Sequence, residues 1–238
     1  MTHYPITSPL WEDPELGLLR LHFNARARRL VFRAKEDGLH VTLPIGTTST
    51  DLQKAIEELR PRLRETCGKR RAVRIDLNYR IDTDFLHLRL VQGDCGRFLL
   101  RADEANVQII CPPDTEFANE DLQAWLRKAV GEVLRSRAKA TLPSRLQWLA
   151  RQNGLTYRSV KINASTGRWG SCSARKDINL SYYLMLLPAR LVDYVLLHEL
   201  THTCIMNHSE AFWAMLDRLT DGQSFTLRKE LKSFRASI

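Results

Sequence analysis

Val195-Leu-Leu-His-Glu-Leu-Thr-His202 is an apolar run broken by two histidines and a glutamate. Residues i and i+4 of a helix lie on one face, one turn apart. His198 and His202 can therefore aim ring nitrogens at a single ion, about 2.0–2.1 Å away for zinc. Glu199 sits one step round the helix. It is poorly placed to share that shell, yet it can reach a water on the ion. Zinc lowers the pKa of such a water toward about 7, a carboxylate takes the proton, and the water attacks a carbonyl that the ion also polarises. Catalytic sites usually use three protein ligands and leave a position open. His208 follows six residues after His202, beyond a turn at Met206-Asn207, and three of the seven histidines fall between 198 and 208. His208 is thus the expected third ligand, with Glu210 and Asp217 on the next helix as the alternatives.

The surroundings read as helix and short strands. Pro188 suits a first helical turn, and the helix is expected from Ala189 to about Ile205. Ser209 can cap a second helix through Phe212, Trp213 and Leu216, and a basic helix is expected over about 226–235. Upstream, Tyr157 to Asn163 and Asp177 to Leu184 read as strands. Between them, Thr166-Gly-Arg-Trp-Gly-Ser-Cys-Ser173 is bounded by glycines. Trp169 either closes over the site or packs in the core, and packing is the expectation. Arg168 either positions a carboxylate or oxyanion, or pairs with a neighbouring acid, and pairing is the expectation. Cys172 has no second thiol nearby to make a ligand pair. Cys204 lies about 200° round the helix from His202 and should face away from an ion.

Lys161-Ile-Asn163, Arg168-Trp-Gly-Ser-Cys172, Ile178-Asn-Leu180, Asp193-Tyr-Val195, His198-Glu-Leu-Thr-His202, Asn207-His-Ser209 and Phe212-Trp213 together resemble the YgjP-like metallopeptidases, a family related to SprT-like and other zincin proteins. The likeness is close over about 160–216. Arg26-Ala-Arg-Arg-Leu30 with its hairpin is similar to the family's β-rich N-terminal region. The resemblance implies a zincin-like fold, one catalytic zinc held by His198, His202 and His208, and Glu199 as general base. It also implies that the strand near 178–184 lines the cleft, where an extended peptide adds as another strand. The ligand spacing is also that of metzincins, but Ile205 stands where their pattern has glycine and no later methionine turn is evident.

The first half is read as β-rich. Leu30 to Arg33 and Leu39 to Leu43 flank Asp37-Gly38, a good hairpin turn. Pro44, a polar stretch and the helical pattern of Asp51 to Leu59 follow. Later come Leu86 to Val91, Arg97 to Arg101 and Val107 to Cys111, then Pro112-Pro113, a polar stretch and Asp121 to Val130. Both halves run strands, proline, acidic cap, amphipathic helix, which suggests a duplication over roughly 16–70 and 72–138. A helix to about Ala140 and a new one from Pro143-Ser144 to Asn153-Gly154 are expected. The fold class is therefore α+β: a β-rich N-terminal domain over 1–118 with hairpins, then a helix-rich zincin-like hydrolase domain over 119–238.

The chain of 238 residues, 44% apolar and 26% charged, can bury a sizeable core. No apolar run approaches the roughly 18 residues of a membrane span, and the first residues lack the pattern of a signal peptide. A cytoplasmic protein with no membrane partner is expected. Five scattered cysteines without a CxxC pair argue against a disulfide framework. Lys and Arg exceed Asp and Glu by 36 to 27, a net +9 concentrated near 26–33, 60–74 and 127–145. Such charge attracts nucleic acid or acidic partners, or simply forms solvated helix faces. The expected activity is a zinc-dependent peptidase acting on a peptide or protein, with nucleic-acid proximity suggested by charge. The alternatives are a nucleic-acid-associated module with a structural zinc, and a zinc amidase of a small substrate.

Overall fold

A computed structural model describes residues 6, 8–35, 38–68, 73–236 and 238. The protein is α+β and divides into two compact units, Met1–Val73 and Arg74–Ile238. In the first unit, β1 (Leu10–Asp13), β2 (Gly17–Phe23), β3 (Val31–Lys35) and β4 (Gly38–Leu43) precede helix α1 (Ser49–Gly68). The strands alternate, so Leu19, Leu21, Leu39, Val41 and Leu43 point inward, where Leu52, Ile56 and Leu63 of α1 cover them. Thr48 and Asp51 begin the helix as a capping box: Asp51 N–H donates to Thr48 Oγ1 at 3.2 Å, and Thr48 N–H donates to Asp51 Oδ2 at 3.1 Å. The expected turn at Asp37-Gly38 lies partly outside the described residues, since Asp37 is not among them. Gly38 itself adopts φ +120°, a backbone that side chains rarely accept.

The second unit opens with the same topology. Strands β5 (Arg80–Thr83), β6 (Leu86–Gln92), β7 (Leu99–Asp103) and β8 (Asn106–Cys111) precede α2 (Glu120–Gln152). The sheets are ordered β1-β2-β4-β3 and β5-β6-β8-β7. In each, the first pair is antiparallel, the central pair parallel and the last pair antiparallel. The repeated unit is thus four strands and a helix. The sequence reading suggested the repeat but missed β1, β2 and β5; β1 and β5 are only four residues long, and β2 is read in the structure over Gly17–Phe23. The glycine-rich link between β6 and β7 does not make a hairpin of them, for β8 lies between.

Two further expectations are corrected. The units part at Val73 and Arg74, not at residue 118. The reason is burial: Leu86, Leu88, Leu90 and Ile109 share one core with Leu126, Val130 and Leu134 of α2 and with the later helices. Gln123 of α2 also clamps Ile75, accepting from its N–H at 2.9 Å and donating to its carbonyl at 2.9 Å. Secondly, α2 runs unbroken through Pro143. An interior proline costs about 3 kcal/mol. Leu142 and Leu146 flank it and are both wholly buried, and each contributes about 1.5–3 kcal/mol. Packing therefore carries the helix past the proline.

Strands β9 (Ser159–Asn163), β10 (Gly170–Cys172) and β11 (Asp177–Ser181) form a third sheet, ordered β10-β11-β9. A 3-10 turn (Tyr182–Leu186) leads into α3 (Ala189–Thr201), α4 (Glu210–Leu219) and α5 (Ser224–Leu231). Arg145 of α2 grips Asp193 of α3 with two bonds of 2.8 and 2.6 Å. Several members of the basic clusters are likewise used inside the protein. Arg60 pairs with Asp13, Glu15 and Glu57, and Arg137 donates to the carbonyls of Phe85 and Glu104. Lys69, Arg70 and Arg71 lie outside the described residues. No described helix is long and apolar enough to cross a membrane.

Candidate metal centre

Helix α3 buries Leu191, Val192, Val195, Leu196 and Leu200, so it is held on several sides by the core. That grip fixes the directions of His198 and Glu199. The helix ends at Thr201, earlier than expected, and His202 is its C-cap. A tight turn then forms, with Cys204 N–H and Ile205 N–H both donating to Thr201 O, at 3.0 and 2.9 Å. The turn brings the chain back so that His208 stands beside the first two histidines.

The three histidines offer ring nitrogens that all lie within 4.8 Å of one another. His198 Nε2 and His208 Nε2 are 3.1 Å apart. His202 Nδ1 lies 3.1 Å from the carbonyl of Ile205, which accepts its proton and leaves Nε2 with a free lone pair. Phe212, completely buried, lies under all three rings at 4.9, 4.5 and 4.8 Å between centroids. Burial drives the pKa of His198 down to about 3 and lowers that of His202. Both imidazoles are thereby kept neutral, which is the form that binds a metal.

Glu199 is buried beside this cluster, and its Oε2 has no hydrogen-bond partner among the described residues; nor has His198 Nδ1. A buried polar atom left unpaired costs about 1–3 kcal/mol. Burial pushes the Glu199 carboxyl up to about 8, with the positive charge of Arg168 pulling the other way. The carboxyl is seated against Gly170 of β10 so closely that a Cβ there would lie 2.6 Å from Glu199 Oε1. A divalent cation fits these observations: three imidazoles converge, and an unpartnered carboxyl oxygen of Glu199 lies next to them.

The remaining candidates separate cleanly. Asp217 Oδ1 accepts from the N–H and hydroxyl of Ser224, at 3.2 and 2.7 Å, and so starts α5. Glu210 is exposed in the first turn of α4. Neither belongs to the histidine cluster. Ser209 is the N-cap residue of α4 but makes no side-chain capping bond. Trp169 packs against the core. Arg168 is exposed and forms no ion pair among the described residues, contrary to expectation. Cys172 is half-buried; burial first, and then the Glu199 charge, push its thiol up to about 11. Strand β11 is flanked on both sides, so its edges are taken and it cannot accept another strand as expected.

These residues lie within a stretch matched by a family model. The YgjP-like, metallopeptidase domain matches residues 28–234. The chain belongs to the YgjP-like metallopeptidase family. The YgjP-like region thus takes in most of both compact units as well as the histidine cluster. No curated protein and no solved structure matches the chain. Within this YgjP-like chain, sequence reasoning did not find the roles of Phe212 under the histidines or Gly170 against Glu199. Their only signals were an aromatic four residues after His208 and a small residue in a strand.

Proposed function

We propose that the protein is a zinc peptidase in which His198, His202 and His208 hold the ion and Glu199 is the general base. The observation that carries this reading is the convergence of three histidine nitrogens beside a buried carboxylate with a free oxygen. When bound, zinc supplies Lewis acidity, which polarises a carbonyl and acidifies a water. Glu199 takes the proton of the attacking water at Oε2 and passes it to the departing amide nitrogen. Its apolar seat raises its proton affinity and keeps bulk water from competing. His202 is oriented through Nδ1 by Ile205, and Gly170 lets Glu199 lie close to β10.

The peptide is proposed to add along β10, the outer strand of its sheet. Ser181 N–H donates to Trp169 O, and Ser173 N–H donates to Asp177 O. Alternation then turns Ser171 inward and leaves the backbone groups of Gly170 and Cys172 facing the open edge. Such an edge accepts an extended chain of any sequence through main-chain bonds, and this supports a peptide over a small amide. Cytoplasmic residence is proposed on the free thiols of Cys95, Cys111, Cys172 and Cys204. The nucleic-acid reading rests on net charge alone.

Mass spectrometry of a mixed peptide digest, with and without a chelator, tests the reading. The parent should cleave only with metal. Glu199→Gln should keep one zinc per chain and lose activity by about 10²–10⁴. Cleavage by that variant at the parental rate removes Glu199 from the mechanism.

A further inference from the structure

Helix α5 brings a cation to the histidine cluster that the sequence motif does not contain. The guanidinium of Arg228 lies 4.5 Å from the centre of the Trp213 ring. That ring stacks on His208 at 5.7 Å and 25°, and on Phe225 at 5.6 Å and 28°. A guanidinium held over an indole face keeps N–H groups free to donate. A second cation, Arg168, stands two residues before Gly170, where an added Cβ would meet the Glu199 carboxyl. Both arginines are exposed, and neither makes an ion pair among the described residues. Arg60, Arg145, Arg158 and Arg190, by contrast, are all paired with carboxylates.

Exposed cations without an ion-pair partner near a site for a divalent ion work against that ion. An anionic ligand relieves the cost. We infer that the substrate is an acidic peptide, with carboxylates next to the scissile bond that are met by Arg168 on the approach to β10 and by Arg228 on its Trp213 seat. This rests on the peptidase reading for where the scissile bond lies. The carboxylates are supplied either by Asp and Glu side chains or by a free C-terminus.

The test uses the zinc-loaded Glu199→Gln chain and fluorescence anisotropy with labelled peptides that are not cleaved. One peptide carries Asp and Glu with an amidated C-terminus. The second replaces them with Asn and Gln. The third is this neutral sequence with a free C-terminus. An acidic peptide, or the free-C-terminus peptide, should bind about tenfold tighter than the neutral amidated one, equivalent to about 1.4 kcal/mol. The preference should shrink as salt rises. Arg168→Gln and Arg228→Gln should each erase much of it, Arg228→Lys should keep part of it, and Arg228→Glu should turn it toward a Lys-containing peptide. Equal binding of all three peptides overturns the inference. So do arginine variants that weaken every peptide alike, since that marks a structural role. If the parent cleaves peptides without an acidic preference, the inference falls and the peptidase reading stands. If acidic peptides bind selectively but nothing is cleaved, the peptidase reading falls instead.

Discussion

Replacing Gly170 with alanine places one methyl group against the proposed base. The added carbon would sit 2.6 Å from Glu199 Oε1, 2.7 Å from Cγ and 2.9 Å from Cδ, where ordinary contact starts at 3.4 Å. The carboxylate must therefore retreat by about 0.8 Å, or β10 must move by as much. Glu199 is 5% exposed and lies on a helix gripped by the core, so it has little room to yield. Displacements near 1 Å in a catalytic group cost about 10²-fold. Gly170→Ala should thus cut kcat/KM about 10²-fold, lose about 1–3 kcal/mol of stability from overpacking, and keep its zinc, because no histidine moves. Three assays separate these effects: peptide hydrolysis, zinc content per chain, and thermal melting. A hydroxamate ligand adds a readout independent of turnover, since it needs both the metal and a neighbouring carboxylate, and its affinity should fall alongside activity. The Gly170→Ala/Glu199→Asp double variant shortens the acid and should regain the lost stability without regaining activity. Parental hydrolysis and hydroxamate affinity in Gly170→Ala would refute the placement of Glu199 as the base held by β10.

Other outcomes follow from the same geometry. His208→Ala should lose most bound metal by elemental analysis, whereas Glu210→Ala and Asp217→Ala should not, since neither lies in the cluster; undiminished metal in His208→Ala removes it as a ligand. Phe212→Ala opens a cavity under three imidazoles and should destabilise Arg74–Ile238 by about 3–5 kcal/mol, with weaker metal retention in a chelator competition; unchanged melting and retention would show that the rings need no floor. In Met1–Val73, the Arg60 guanidinium, helped by the N–H groups of Leu16 and Glu15, holds the Asp13 carboxyl down at about 2. Because the folded value lies below the unfolded value of about 3.9, the contribution is complete above that value and is lost as pH falls through about 2. Arg60→Gln should therefore raise the acid-unfolding midpoint, read by circular dichroism; an unchanged midpoint dismisses the pair.

What the sequence determined by itself was local. The i,i+4 spacing of His198 and His202 and the acid between them are properties of one helix, legible wherever that helix sits. Acidic and polar caps marked the starts of α1 and α2, and short apolar runs marked β3, β4, β6, β7 and β8, because capping and burial act over a few residues. The repeat was visible for the same reason. Tertiary structure decided everything that joins distant segments. β8 lies between β6 and β7, and β11 lies inside its sheet, because pairing depends on which faces can be buried together. Pro143 stays within a helix because Leu142 and Leu146 have a core to enter. Gly170 meets Glu199 across 28 intervening residues, and Arg228 of a different helix lies on Trp213, whose ring stacks on His208. A motif names the atoms that can do chemistry, but the distance between a base, its seat and its charged neighbours is set by packing, and no spacing along the chain contains it.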